Sequence, residues 1–272
     1  MERKINRVLF VNSEMVPYLP ESECACASMA LARGIQEKKV EIRSFMPRYG
    51  LINERKNQLH EVIRLSGMNI VIDDVDRPLI IKVASLPAAR MQVYFIDNDD
   101  FFRRKALYTD AEGNFFKDNG ERAIFFARGV LETVKKLRWS PDIIHCSGWI
   151  THILPLYLKK FYKDDPIFAS SKVVLSLFND NFEARLQDNF AEAITFQGVG
   201  KDDVKLPAHP TGMDLAKLAI DYSDGVIAAS ADCKEDLLDY ARGKNIPVLE
   251  YDSRVKTNGS TVDECHDFYM GL

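Results

Sequence analysis

The chain has 272 residues, of which 46% are hydrophobic, and a formal net charge of −4 at pH 7. This length and apolar content suffice for one large α/β core, and the negative charge argues against nucleic acid or an anionic membrane as a partner. No apolar run forms a signal-peptide core or approaches the roughly 18 residues of a membrane span, so we expect a cytoplasmic protein.

Short apolar runs alternate with helical patterns, which predicts a Rossmann-like three-layer α/β sandwich with a mainly parallel sheet. We expect a single domain over residues 1–272. The predicted strands are 7–13, a hairpin of 62–65 with 68–72, and 40–46, 79–84, 91–96, 142–145, 172–178 and 225–230. The predicted helices are 24–37, 121–137, 150–162, 214–222 and 231–242. Segment 181–211 is predicted to be a mobile insertion, and in the tail, 250–272, residues 262–269 are predicted to form a helix that packs back on the domain.

The first fifty residues carry the most specific pattern. Its elements are Ser13, Glu14, Pro17, Tyr18 and the run 47–50, Pro-Arg-Tyr-Gly. They resemble the opening motif of bacterial glycogen synthases and plant starch synthases, V-L-F-V-x-S-E-x-x-P-F/Y-x-K-T-G-G-L followed by L-P-R-Y-G. The resemblance continues through 94–122, 139–145 and 212–230 and covers about residues 5–240. It implies the N-terminal domain of a two-domain, GT-B type glycosyltransferase that uses ADP-glucose.

The loop that binds phosphate in this family is replaced. Where the family has Lys-Thr-Gly-Gly, this chain has Pro20, Glu21, Ser22 and Glu23. A helix N-terminus binds phosphate through free backbone N–H groups, close glycine approach and a cation, none of which Pro20 supplies. The two glutamates either repel a diphosphate or stabilise the positive end of the helix dipole. Under both interpretations the donor loop is degenerate.

Two further polar positions of the family are replaced. Gly148 stands where the resemblance places the aspartate of H-A-H-D-W-H, and Phe178 stands where it places a histidine that contacts the transferred glucose. Phenylalanine can neither donate nor accept that hydrogen bond. In the family a second domain supplies the remaining donor contacts, and we expect this chain to end about where that domain begins. We therefore assign no catalytic residue and no cofactor.

A candidate cleft is expected at the carboxyl ends of the strands, where open α/β sheets bind ligands. Its candidate residues are Glu14, Tyr18, Asn119, His145, Trp149, Asn179, Asp180 and Phe182. The aromatic side chains could stack on sugar rings, although core packing is favoured, and His145 is favoured as a hydrogen-bonded core histidine over a catalytic base. The acidic runs 97–100 and 179–181 are favoured as loop caps over cation ligands, and five cysteines without a C-x-x-C pair give no zinc or disulfide framework, so no metal site is assigned.

The leading hypothesis is a catalytically degenerate binding or regulatory module, with an α-glucan or an ADP-sugar as its ligand. One alternative is half of a split ADP-glucose:α-glucan glucosyltransferase, completed by a separate C-terminal-domain chain, and another is a protein-interaction scaffold. An apolar group at the cleft face comprises Tyr18, Trp149, Phe178 and Phe182. Because such patches mark interfaces, we expect it to be covered by segment 181–211, by the tail, or by a second copy of the chain.

Overall fold

The sheet and its helices are seen in a computed structural model that describes residues 4–180, 182–195, 198–251 and 260–272. The strands are β1 (Arg7–Asn12), β2 (Glu41–Pro47), β3 (His60–Glu61), β4 (Met68–Ile72), β5 (Val75–Leu86), β6 (Met91–Asp97), β7 (Ile143–Ser147), β8 (Lys172–Leu177), β9 (Gly225–Ala228) and β10 (Val248–Leu249). The helices are α1 (Glu23–Glu37), α2 (Asp99–Phe102), α3 (Asn119–Lys136), α4 (Leu154–Lys160), α5 (Phe190–Ile194), α6 (Gly212–Asp221), α7 (Glu235–Gly243) and α8 (Ser260–Gly271).

The strand order is β10-β9-β8-β7-β1-β2-β6-β5-β3, with β4 paired to β5. Neighbours from β10 through β6 are parallel, and β5 pairs antiparallel with β6 and with β3. β1 lies at the centre, and its residues from Val8 to Asn12 are buried, as expected for a parallel strand covered on both faces. The predicted α/β architecture with a mainly parallel sheet is confirmed.

The prediction that residues 62–65 and 68–72 pair as a hairpin is wrong. Residues 62–65 contain a turn instead of a strand, and β4 pairs antiparallel with β5, Ile72 lying opposite Val75. The two connecting residues, Asp73 and Asp74, have φ of 50° and 59°. A tight two-residue hairpin turn of this kind requires positive φ at both positions, which aspartate tolerates better than most residues.

Two predicted helices begin later than the sequence pattern indicates. The segment 150–162 divides into a short 3-10 turn, Trp149–Thr151, and α4, which carries Pro155 in its first turn. Proline is accepted there because the first-turn N–H groups have no partner within the helix. The helix predicted from residue 231 begins at Glu235.

The tail helix α8 packs back on the domain, as predicted, and lies against α1. The Val262 side chain fills the space above Gly34, where a Cβ would collide with it, and Phe268 lies over Gly225 of β9. Tyr269 is fully buried and its hydroxyl lies 2.5 Å from His145 Nδ1 of β7. Helix α8 therefore covers one face of the sheet near its centre.

The described parts of segment 181–211, residues 182–195 and 198–211, are also packed on the domain. The segment contains α5, whose Phe190 and Ile194 are buried, and Phe190 lies directly against Gly120 of α3. Backbone hydrogen bonds from Leu186 N to Pro210 O and from Gly212 N to Phe182 O join its two ends, both at 3.0 Å. Its mobility stays a prediction. Among the described helices, none is long and apolar enough to cross a bilayer.

Candidate functional site

The carboxyl ends of β1, β7 and β8 meet at one edge of the sheet. Asn12 pairs with Ser147, Ser147 pairs with Ser176, and the Ser13 N–H continues the ladder to Ser147 O at 2.8 Å. This register brings three loop starts side by side: 13–14, 148–149 and 178–180. The sequence-predicted cleft residues that follow these strands are thus brought together.

Gly148 has a backbone conformation that excludes other residues. Its φ of 85° and ψ of 155° fall in a region that is essentially restricted to glycine. A Cβ on Gly148 would also collide with Ser13 Oγ and would lie 2.6 Å from Ser13 Cβ. In this backbone arrangement an aspartate at position 148 does not fit.

Asp180 places a carboxylate beside Gly148. Its Oδ2 accepts the Trp149 N–H at 2.7 Å and lies 3.3 Å from the position of a Cβ on Gly148. The pKa of Asp180 is raised to about 6, mainly by burial and in smaller part by the nearby charge of Glu14, whereas the Trp149 N–H opposes the shift. Asp180 therefore changes its charge close to neutral pH.

The loop 20–23 ends in a helix cap that uses the chain's own groups. The Ser22 side chain accepts the Ala25 N–H of α1 at 3.0 Å and donates to Glu14 Oε2 at 2.8 Å. Glu23 is the acidic residue of the first turn of α1, and Pro20, Glu21 and Glu23 are exposed. The serine thus satisfies one of the N–H groups that a phosphate would use.

An aromatic cluster covers the edge next to Asp180. The Trp149 ring lies edge-on to Tyr108 and to Phe182, with centroids 4.8 Å apart in each case, and Phe115 stacks on Phe182 at 4.6 Å. Trp149 is only 2% exposed. The cluster packs these rings on one another and leaves little Trp149 surface for a sugar. Tyr108 and Phe115 lie in the irregular segment between α2 and α3, where no periodicity indicated their place in the site.

Phe178 and Tyr18 are buried as well. Phe178 is 3% exposed, and Tyr18 packs edge-on against Phe95 with centroids 4.9 Å apart. Burial raises the pKa of Tyr18 well above its usual value. In the apolar group predicted at the cleft face, Tyr18, Trp149 and Phe178 are thus buried, and Phe182 of segment 181–211 lies edge-on to Trp149 and stacks with Phe115. The described contacts of α8 lie with α1 and with β7 and β9.

Two of the candidate residues are fully buried. His145 Nδ1 bonds to Tyr269 OH at 2.5 Å, its Nε2 bonds to Ser176 Oγ at 2.8 Å, and burial lowers its pKa to about 3. Asn119 is fully buried at the start of α3 and donates to Tyr108 O at 2.8 Å. Both side chains therefore make hydrogen bonds within the protein interior. Asn179, by contrast, is exposed at the end of β8.

The acidic run 97–100 forms a cap and ion pairs. Asn98 accepts the N–H groups of Asp100 and Phe101 at the start of α2, and Asp97 pairs with Arg48 at 2.9 Å and with Lys82 at 3.0 Å. In the second acidic run, Asn181 lies outside the described residues. Across the described ranges, no group of three or more His, Cys, Asp or Glu side chains is arranged to hold a metal ion.

Comparison with known proteins finds similar sequences over most of the chain. The family described as "Starch synthase catalytic domain" matches residues 7–248. Glycogen synthase of Chlorobium luteolum is 41% identical over 180 residues, covering 66% of this chain and 37% of that protein. Glycogen synthase of Chlorobium phaeovibrioides is 32% identical over 241 residues, covering 87% and 48%. The chain thus spans less than half the length of these relatives.

A solved structure is similar in fold. It is the catalytic domain of starch synthase IV from Arabidopsis thaliana bound to ADP and acarbose, with a TM-score of 0.71 and 17% sequence identity, covering 91% of this chain and 51% of that one. At this identity the similarity establishes the fold, and it confirms the expected Rossmann-like arrangement of a GT-B glycosyltransferase domain. Since the family match extends over most of the sequence, the chain belongs to the starch synthase catalytic domain family.

Proposed function

We propose that this glycogen/starch synthase-like domain is a binding or regulatory module for α-glucan, a pseudoenzyme that does not by itself transfer glucose from ADP-glucose. The observation that carries the proposal is the capped loop at α1. There Ser22 takes the Ala25 N–H and binds Glu14, in the place where the family sequence has Lys-Thr-Gly-Gly.

The charges around this loop oppose a nucleotide diphosphate. A diphosphate that approached the N-terminus of α1 would meet the exposed Glu21 and Glu23, and to replace Ser22 it would free the Glu14 carboxylate. Each like-charge contact costs on the order of a few kcal/mol near a protein surface. The positive end of the helix dipole offsets only part of this cost.

The residues at the ends of β7 and β8 also argue against glucose transfer by this domain alone. Gly148 has neither the backbone conformation nor the space for an aspartate, and Phe178 is buried without a polar group at the family's histidine position. Loss of one positioned electrostatic group costs about 100-fold or more in rate. Several such losses together are expected to remove measurable transfer.

One observation favours the second candidate, half of a split transferase. Asp180 supplies a carboxylate 3.3 Å from the place where the family's aspartate side chain would start. A domain that keeps an acidic group at this edge can still contribute it to a cleft that another chain completes. In that case activity would appear only when a C-terminal synthase domain is added.

Calorimetric titration with ADP, ADP-glucose and maltoheptaose tests the proposal, because starch synthase IV was solved with ADP and acarbose. We expect heat of binding with maltoheptaose, little with either nucleotide, and no primer-dependent release of ADP. ADP release above the no-protein background, removed by Asp180→Asn, would overturn the non-catalytic assignment. Release that requires an added C-terminal synthase domain would select the split enzyme.

A further inference from the structure

A second cleft lies at the opposite end of the sheet from Asp180. Its volume is about 340 Å³, and it is bordered by the end of α1 and by the first residues of β2 and β6. The register that pairs Ser44 with Val93 brings the amino ends of these two strands together. Its polar lining comprises Gln36, Glu41, Arg43, Arg90 and Gln92.

Arg43 is held in this cleft by aromatic rings. Its Cζ lies 5.0 Å from the Trp139 ring centroid and 5.9 Å from that of Tyr94. Its Nη1 is buried, and among the described residues this guanidinium has no hydrogen-bond acceptor and no carboxylate within ion-pair distance. A guanidinium that is fixed by its neighbours yet lacks an acceptor is preorganised to bind an oxyanion.

The one carboxylate in the lining is engaged elsewhere. Glu41 Oε1 accepts the Trp139 Nε1–H at 2.7 Å, and its Oε2 pairs with Arg7 Nε at 3.0 Å. Arg7 therefore offsets the charge of Glu41, and Arg43 and Arg90 give the cleft an excess of positive charge. This charge is of the right sign for an anionic ligand.

Arg90 completes the cleft from the side of β6. It follows the 3-10 turn Pro87–Ala89 with φ of 50°, and its carbonyl accepts Gln36 Nε2 at 2.7 Å, which ties this turn to α1. Its side chain is exposed and, in the part of the chain that the structure describes, has no ion-pair partner. A fixed guanidinium and a second, adaptable one are thus available on one cleft.

We propose that this cleft binds a phosphate dianion, either free or carried by a small phosphomonoester. Guanidinium groups bind phosphate through parallel N–H···O bonds, and two of them balance the charge of a dianion near pH 7. The volume is at the lower end of ligand pockets, which range from about 300 to 1,000 Å³, so a ligand with one ring is the upper size. The site goes beyond the proposed glucan function and does not depend on it.

Titration with inorganic phosphate and with ribose 5-phosphate at constant ionic strength tests the site, with acetate as a monoanion control. Trp139 lies against Arg43 and serves as a fluorescent reporter, and calorimetry gives the affinity. We expect saturable binding that Arg43→Gln or Arg90→Gln weakens about tenfold or more, as for a lost hydrogen bond to a charged group. Arg43→Lys keeps the charge but loses the planar fork, so intermediate weakening is expected.

Arg33→Gln is the matched control, because it removes one exposed positive charge from the same helix end region without touching the cleft; Arg33 pairs with Glu37 at 2.8 Å. It is expected to leave binding unchanged. Equal affinity for the two phosphates assigns the site to the free ion, and tighter ribose 5-phosphate binding assigns it to a phosphomonoester. If the unmodified protein binds neither, or if Arg43→Gln or Arg90→Gln binds as tightly as Arg33→Gln, the proposal is overturned.

Discussion

The Asp180 carboxylate lies against Gly148: its Oδ2 is 3.3 Å from the position of a Cβ on residue 148 and accepts the N–H of Trp149 at 2.7 Å. In this chain the loop after β8, instead of the loop after β7, brings a carboxylate to this edge of the sheet. The glycine and the aspartate are complementary, since a side chain on residue 148 would crowd the carboxylate. Alignment of motif positions alone identifies only the loss at 148.

The pH dependence of stability is expected to depend on Asp180. Its pKa is raised to about 6 in the folded protein, against the usual value of 3.8 for an aspartate, so the folded state holds this proton more tightly than the unfolded state does. The stabilisation from the proton is present below about pH 4 and is lost as pH rises through 6. Asp180→Asn should remove this loss, making the variant more stable than the parent at pH 7 by about 1–3 kcal/mol.

Urea denaturation of both proteins at intervals from pH 4 to pH 7.5 measures the effect as a difference, in which the contributions of buried histidines cancel. Asp164→Asn is the control, because the Asp164 side chain is 90% exposed. Its difference from the parent should stay flat across this range. A flat difference for Asp180→Asn as well would show that the carboxylate is solvated in both states.

Gly148→Ala should be strongly destabilising, and Gly113→Ala is the control for a glycine that has positive φ but open space around it. Both glycines have φ near +85°, but nothing lies within 4 Å of a Cβ on Gly113, whereas a Cβ on Gly148 would collide with Ser13. Backbone strain alone predicts about 1–2 kcal/mol for Gly113→Ala. Strain with overpacking predicts about 3 kcal/mol or more for Gly148→Ala, measured as the free energy of unfolding in urea. Equal losses for the two variants would mean that Ser13 moves away freely.

The order of strands and helices could be predicted because each parallel strand is a short apolar run and the main helices have regular apolar faces. The β4–β5 hairpin was missed because its turn is Asp73-Asp74 without glycine, although aspartate tolerates positive φ. A covered apolar face was predicted, but the contribution of Phe115 comes from a loop without periodicity.

Less of the candidate site than of the fold could be predicted from the sequence. Gly148 could be identified as a departure from a motif, because it is a local substitution. Its contact with Asp180 depends on the pairing of β7 with β8 and on the conformation of two loops, which no local pattern specifies. The sequence did not indicate Arg43 as a candidate ligand-binding residue, because only the packing of the folded chain leaves its guanidinium without an acceptor.

Restoring the family loop is expected to increase affinity for ADP without producing transfer. The variant combines Pro20→Lys and Glu21→Thr with glycine at positions 22 and 23. It adds a cation, removes two exposed carboxylates and frees the Ala25 N–H, which Ser22 now occupies. Calorimetry with ADP measures the gain. Ser22→Gly alone is the control for loss of the cap; it should lower stability by a few tenths of a kcal/mol and leave ADP affinity nearly unchanged. No gain in the combined variant would mean that the loop does not face a phosphate-sized space.

Tyr269 of α8 is expected to stabilise the centre of the sheet through His145. Tyr269→Phe keeps the ring but leaves His145 Nδ1 without the hydroxyl that lies 2.5 Å away, in a fully buried position. An unsatisfied buried polar group costs about 1–3 kcal/mol. Tyr94→Phe is the matched control, because among the described residues the Tyr94 hydroxyl makes only a long contact of 3.5 Å with Gln92. Its effect should be below about 0.5 kcal/mol.

Deletion from Val262 onward removes nearly all of α8 and should lower the melting temperature further, since it uncovers Gly34, Gly225 and His145 together. If the truncated protein melts at the same temperature and has the same scattering mass, α8 contributes nothing to the fold, and the bond to His145 is replaced by water.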